Sequence, residues 1–291
     1  MQVGVVFPQT EIGADPAGVR AYAEAVERAG YQHLLAFDHV LGANPDRPGG
    51  WTRNYTHDTL WHEPMVLFGY LAAVTRTLEL FTGILILPQR QTALVAKQAT
   101  EVDILSGGRL RLGVGIGWNA VEYEALNEDF HTRGRRIEEQ IAVLRALWSE
   151  TSITFDGRDH HIPNAGINPL PARSIPIWMG GESERVLDRA GRLADGWMPL
   201  YRTPAEIVAP LARIRAAAAS AGRDPNAIGI DARVSVDDDD VQASVAAALA
   251  WRDAGVTQLS VNSMGAGRRG AAEHIAAIER FKRAYDEAVR A

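Results

Sequence analysis

The sequence predicts an α/β fold: a (β/α)8 TIM barrel with insertions in its strand–helix loops, forming a single domain over residues 1–291. Three observations lead there. Short β-rich apolar runs alternate with amphipathic helical stretches along the chain, the pattern of parallel strands joined by crossover helices. Eight such pairs can be counted, the number that closes one barrel. The 291 residues suit one large barrel, or else two domains of ordinary size. The rival is a doubly wound open sheet. It lacks support because no Gly-x-Gly-x-x-Gly follows the first strand and no acidic residue is placed to hold a ribose.

The elements follow in order. The first strand is Val3 to Phe7, stopped by Pro8. Pro16 opens a helix through Arg28, ended by Gly30. The second strand, His33 to Phe37, runs into Asp38-His39. Val40 to His62 is polar and rich in Gly and Pro, too long for a simple connector, as functional loops are. Glu63 to Arg76 reads as a helix, with Pro64 suited to its first turn. Leu78 to Leu87 is the third strand, interrupted by Gly83. Thr92 to Leu105 is a helix closed by Ser106-Gly107-Gly108. Leu110 to Val114 is the fourth strand, followed by helices at Ala120–Leu126 and Arg133–Trp148. Ile153–Phe155 and His160–Ile162 flank Asp156-Gly157 as a surface hairpin. The remaining units are Pro176–Met179 with Glu182–Ala194, Gly196–Met198 with Pro204–Ala221, Ile228–Val234 with Val241–Ala254, and Gln258–Val261 with Ala271–Ala288. Asp237 to Asp240 reads as a solvated helix start with an N-cap Asp.

Composition bounds the function. Hydrophobic residues make up 46% and charged residues 23%, enough for a large core. The net charge of −6 argues against nucleic-acid partners and anionic membranes. With no cysteine, disulfides, thiolate nucleophiles, zinc–thiolate sites and iron–sulfur clusters are excluded. The N-terminal Met-Gln-Val-Gly-Val-Val-Phe-Pro lacks the pattern of a secretory signal, and no apolar run is long enough to span a bilayer, so a cytoplasmic location is expected. The histidines, His160-His161 included, are scattered and show no metal-ligand spacing, so no metal is expected. No Gly-x-Ser-x-Gly elbow appears.

In a barrel, chemistry sits where strands end. Four features fall there. Asp38-His39 follows the second strand; it is either a proton-handling imidazole or a buried pair that ties down a loop. Gly83, with Ile84, interrupts the third strand; it marks either a bulge against a ligand or room for a core neighbour. Gly113-Val-Gly-Ile-Gly117-Trp118 follows the fourth strand, where alternating glycines let a flat ring or a phosphate approach the main chain and Trp118 is either a face for stacking on a ring or ordinary packing. Gly180-Gly181-Glu182-Ser183 precedes a helix whose first amides are free donors, either a phosphate cradle or a tight capped turn. Glu182 would repel a phosphate unless its side chain points away.

Taken together, these features resemble the luciferase-like oxidoreductase superfamily over nearly the whole chain. The shared segments are Val3-Gly-Val-Val-Phe-Pro8, Phe37-Asp38-His39, Thr82-Gly-Ile-Leu-Ile-Leu-Pro88, Leu105-Ser-Gly-Gly-Arg-Leu110, Gly113 to Asn119, Met179-Gly-Gly181 and Ala194-Asp-Gly-Trp197. The resemblance implies a (β/α)8 barrel using flavin mononucleotide (FMN) or the deazaflavin coenzyme F420. It implies a cis peptide at Gly83–Ile84 behind the cofactor ring. Gly117 and Trp118 would line the ring, and Gly180, Gly181, Glu182 and Ser183 would hold the phosphate. Asp38-His39 matches the F420 branch, with His39 at the reactive ring face as the catalytic candidate. One position departs: where sugar-phosphate dehydrogenase relatives carry a glutamate proton donor, this chain has Trp118, which counts against sugar-phosphate oxidation. The implied function is an F420-dependent oxidoreductase acting on a small organic substrate, with a homodimer expected. The alternatives are an FMN-dependent monooxygenase served by a flavin reductase, and a non-catalytic flavin-binding barrel. Trp51, Tyr55 and Trp61 of the long loop either suit an apolar or planar substrate or simply anchor the loop.

Overall fold

The computed structural model describes residues 1–290. Its strands are β1 (Gln2–Val6), β2 (His33–Ala36), β3 (Glu79–Thr82), β4 (Leu85–Ile86), β5 (Leu110–Gly115), the hairpin pair β6 (Ile153–Asp156) and β7 (His161–Ala165), then β8 (Ile177–Gly180), β9 (Gly196–Met198), β10 (Gly229–Ser235) and β11 (Gln258–Asn262). The helices are α1 (Pro16–Arg28), α2 (Pro64–Val74), α3 (Thr92–Ser106), α4 (Ala120–Ala125), α5 (Arg133–Ser149), α6 (Glu184–Leu193), α7 (Val208–Ser220), α8 (Val241–Asp253) and α9 (Gly270–Arg290). The main sheet runs β3-β2-β1-β11-β10-β9-β8-β5, and β5 returns to pair with β3 through Leu80↔Leu110 and Phe81↔Arg111. Every pairing in it is parallel, so the sheet is a closed eight-stranded barrel in which β3 and β4 share one position.

Local chemistry sets the helix starts and stops. The Asp15 carboxylate accepts the N–H groups of Ala17 and Gly18, and Pro16 fits the first turn of α1. The acidic run ends in an N-cap: Asp240 accepts the Ala243 N–H at 2.8 Å and opens α8. Arg109, from the Ser-Gly-Gly-Arg stretch, holds the barrel floor. Its guanidinium donates to the carbonyls of Ala72 and Thr75 at the end of α2, to Leu78 and to Ser106, so orphan helix carbonyls gain partners.

Three expectations need correction. The predicted third strand, Leu78 to Leu87, is not continuous. It breaks at Gly83–Ile84, whose peptide bond is cis, and a 3-10 turn at Leu87–Gln89 follows β4. The helix predicted from Glu182 begins at Glu184, because Ser183 is its N-cap and Gly180–Ser183 form the turn. The helix predicted from Pro204 opens with a separate 3-10 turn, Pro204–Ile207, fixed by a Thr203–Glu206 capping box.

The barrel interior pairs large side chains with glycine. Trp178 on β8 lies over the next two strands, β9 and β10: a Cβ on Gly196 would come 2.2 Å from its ring, and one on Gly229 2.5 Å. Arg111 fills the centre of the same layer, 4.5 Å from the Phe81 ring and 4.8 Å from the Trp178 ring, and is ion-paired with Glu79. Across from it, the Ser260 hydroxyl donates to the Asp231 carboxylate at 2.9 Å and meets His33 Nε2 at 2.9 Å. Burial pushes the Asp231 carboxyl up to about 6, against the pull of Arg111 and Ser260. A lower, more polar layer thus supports an apolar one, where Val6, Leu35, Phe81 and Met198 pack beneath the mouth. No helix among the described residues is long and apolar enough to cross a membrane.

The raised Asp231 value has a signed consequence. An unfolded aspartate titrates near about 3.9. Between there and about 6 the folded chain holds a proton that the unfolded chain releases, so this group lowers stability as pH rises through that window. Asp231→Asn should therefore gain on the parent protein between pH 4 and pH 7, by on the order of 2–3 kcal/mol in unfolding free energy. Denaturant titrations at the two pH values measure the gain, and a pH-independent difference contradicts the assignment.

Candidate active site at the barrel mouth

A cleft of about 480 Å³ opens at the C-terminal ends of the strands. All ten residues singled out in the sequence reach it: Asp38 and His39 after β2, Gly83 and Ile84 before β4, Gly117 and Trp118 after β5, and Gly180 to Ser183 after β8. Their individual roles differ from a simple glycine cradle.

The glycines first make room for isoleucine. A Cβ on Gly115 would come 2.7 Å from Ile84 Cδ1, and one on Gly180 would come 2.8 Å from Ile84 Cγ2. Ile84 therefore sits in a notch between β5 and β8. Gly117, at φ +59°, has Ile86 Cγ2 2.8 Å from where its Cβ would be. The alternating glycines of the fourth strand thus do not bare the main chain along their whole length. Ile84 fills part of the space and presents an apolar surface to the cleft beside Phe37 and Met198.

Asp38 is a clamp. Its buried carboxylate accepts the Ile86 N–H at 2.8 Å and the Arg90 guanidinium at 2.7 Å, and Arg90 also pairs with Glu63. It ties the end of β2 to the turn after β4 and so fixes where Ile84 points.

His39 faces the cleft. Its side chain is 9% exposed, and Nδ1 lies 2.9 Å from Oε2 of Glu122, which is 0% exposed. The other carboxylate oxygen of Glu122 accepts the N–H groups of Val40 at 2.6 Å and Leu41 at 3.2 Å. Burial pushes the Glu122 carboxyl up, but the hydrogen bonds from His39, Val40 and Leu41 outweigh it and hold the group below its ordinary value. Glu122 is therefore an acceptor at neutral pH, and Nδ1 of His39 carries the proton it accepts. In the neutral imidazole this leaves Nε2 as the unprotonated nitrogen.

Aromatic rings surround the imidazole. The centroid of Trp61 is 4.6 Å away, that of Tyr55 5.1 Å and that of Trp118 5.8 Å. Trp118 is 41% exposed and stacks on Trp51 at 5.9 Å, with Arg53 over its ring. The long loop thus forms an aromatic wall.

The turn after β8 is open to an anion. Ser183 is exposed and its hydroxyl makes no capping bond, while Val186 and Leu187 are the amides that return to the Ser183 carbonyl. Glu182 turns aside: its carboxylate accepts the Leu200 N–H at 3.0 Å. Gly181 adopts φ +122°, a conformation that favours glycine, and its carbonyl is held by Trp197 Nε1 at 2.8 Å.

The sequence reading missed Glu122, Arg90 and Arg233. A search for an acid at position 118 stops one helical turn short of Glu122. Arg233 had a readable signal: in the strand Gly229–Ser235, the apolar residues Ile230, Ala232 and Val234 alternate with Asp231 and Arg233, so the charged pair points into the barrel. Among the described residues no group of three or more metal-ligating side chains comes together.

The whole chain, residues 1–291, matches the luciferase-like monooxygenase family and belongs to it. It is an oxidoreductase of that family. It is 30% identical over 255 residues to the F420-dependent hydroxymycolic acid dehydrogenase of Mycobacterium tuberculosis, covering 86% of this chain and 66% of that protein. It is 33% identical over 228 residues to the FMNH(2)-dependent dimethylsulfone monooxygenase of Pseudomonas fluorescens, covering 77% of this chain and 58% of that protein. In fold it superposes on an F420-dependent secondary alcohol dehydrogenase, solved with an F420–acetone adduct, with a TM-score of 0.81 over 98% of both chains at 16% identity.

The notch is testable by a double-mutant cycle. Gly115→Ala alone should destabilise by displacing Ile84. Adding Ile84→Ala should relieve part of that loss, giving a coupling of about 1 kcal/mol or more in thermal or chemical unfolding. Additive losses would mean that Ile84 does not occupy the notch.

Proposed function

We propose that this chain is a coenzyme F420-dependent oxidoreductase that oxidises or reduces an organic hydroxy or oxo compound, with His39 as the catalytic proton carrier. The observation that carries this reading is the His39–Glu122 pair at the cleft. Moving a hydride between a cofactor and a carbon that bears oxygen requires a proton to leave or reach that oxygen. His39 lines the cleft and its Nε2 would exchange that proton, with Glu122 as the partner of Nδ1 that makes Nε2 available. The F420-dependent relative also matches a larger share of the chain than the FMN-dependent one.

The residues fit a phosphate-bearing tricyclic group. Ile84 would support its ring face, with Gly117 and Trp118 beside it. The turn Gly180–Ser183, with the Glu182 carboxylate turned away and the Ser183 hydroxyl free, would hold the phosphate at the start of α6. When bound, the deazaflavin supplies the two-electron hydride chemistry, while the barrel supplies orientation and proton transfer. The aromatic wall of Tyr55, Trp61 and Trp118 would exclude water from the substrate.

The cofactor is tested by titrating purified protein with F420 and with FMN. F420 should bind at least about tenfold more tightly, and tight binding of FMN alone would overturn the reading in favour of an FMN-dependent monooxygenase. Ser183→Ala combined with Gly181→Val should weaken F420 binding by about tenfold or more. His39→Ala should lower kcat by about 10²–10⁴ with little change in cofactor affinity. The assay is cofactor absorbance across a panel of secondary alcohols and hydroxy acids. Equal loss of binding and turnover would make His39 a cofactor contact rather than a proton carrier.

A further inference from the structure

We propose that Arg233 binds a carboxylate of the substrate, so that the compound acted on is a flat hydroxy or oxo acid rather than a neutral alcohol or ketone. This rests on the reading of the cleft as a hydride-transfer site and names the substrate class for it.

Arg233 projects from β10 into the cleft, on the inward face of the strand. Its guanidinium lies over the Phe37 ring, 4.8 Å from the centroid. Phe37 is itself pinned: the Gln9 side chain accepts its N–H at 2.9 Å and donates to its carbonyl at 3.0 Å. The platform under the guanidinium is therefore rigid. Yet among the described residues the guanidinium has neither a hydrogen bond nor an ion pair, and its Nε–H is buried without a partner. Arg90, Arg136 and Arg268 also have a buried Nε–H without a partner, but their terminal nitrogens are engaged. Arg90 reaches two carboxylates, Arg136 reaches Glu128 and the Pro88 carbonyl, and Arg268 reaches the Ser263 carbonyl. Asp231, two residues earlier on the same strand face, is occupied by the Ser260 hydroxyl and acts on Arg233 only through its field.

A second donor in the same cleft is also unfilled: Trp61 Nε1–H is buried without a partner. Both unfilled groups are donors, so the missing component is an acceptor. A guanidinium fork matches a carboxylate in two parallel hydrogen bonds, and a half-buried cation without an acceptor is costly to maintain. Tyr55 packs against His39 and also lies within electrostatic range of Arg233. The rings of Tyr55, Trp61 and Trp118 line the same cleft as His39 and Arg233, which suits a planar acid.

Benzoate and its neutral isostere benzamide are the probes, titrated into purified protein and read by the fluorescence of the cleft tryptophans. Benzoate should bind at least about tenfold more tightly than benzamide. Arg233→Met should abolish that preference, leave benzamide binding unchanged and leave F420 affinity within about twofold. Arg233→Lys should retain a reduced preference, and it replaces the methionine variant as the test should that variant fail to fold. The proposal is overturned if benzoate does not bind or binds no better than benzamide, if Arg233→Met keeps the preference, or if that variant loses F420 while keeping benzoate. Benzoate selectivity in a protein that binds no deazaflavin supports the anion site and overturns only the cofactor reading.

Discussion

Three groups from one short stretch of chain converge on the buried carboxylate of Glu122: the imidazole of His39 and the N–H groups of Val40 and Leu41. A carboxylate without water is tolerable only when its lone pairs are filled this way. The requirement works in both directions. Glu122 needs the donors, and the donors fix the first residues of a loop that runs on to His62. That loop brings Tyr55 and Trp61 against the imidazole. One polar contact thus orients the candidate catalytic residue, selects its tautomer and anchors the base of the wall that surrounds it.

The rest of the mouth depends on close packing further down. Trp178 needs two glycines on adjoining strands, and Ile84 needs two more on β5 and β8. Asp38 and Arg90 then hold the segment after β4 so that Ile84 stays in its notch. Glycine here is chosen for what lies opposite it. The cleft floor is apolar because isoleucine, phenylalanine and methionine reach it, while its polar groups, His39, Ser183 and Arg233, come from three separate strand ends. On the proposed function, separation of that kind would let one site hold a phosphate, exchange a proton and recognise a charge without these groups neutralising one another.

Much of this architecture was legible in the chain. Strand–helix alternation is a local signal, and eight repeats of it imply closure. The ends of the second to fifth predicted strands line one cleft, because a barrel concentrates loops at one face. What could not be read was which side chain fills which space. Gly115 and Gly180 looked like room for a ligand, yet part of that room belongs to Ile84, a residue about thirty positions from one and a hundred from the other. Asp38 looked like half of a functional pair, and its carboxylate instead clamps Ile86 and Arg90. Glu122 lay outside any motif, because its partner is 83 positions away. The break in the third strand was flagged by Gly83 but not located, since an apolar run from Leu78 to Leu87 carries no mark of where strand pairing lapses.

The central claim is that Glu122 fixes the protonation pattern of His39. Nitrogen-15 NMR of the imidazole at neutral pH tests this most directly, with His39 assigned from the spectrum of His39→Gln. The account predicts that the neutral form of the ring is protonated at Nδ1 and bare at Nε2, and that Glu122→Gln loses that preference. A neutral His39 protonated at Nε2, or a tautomer indifferent to Glu122→Gln, would contradict it.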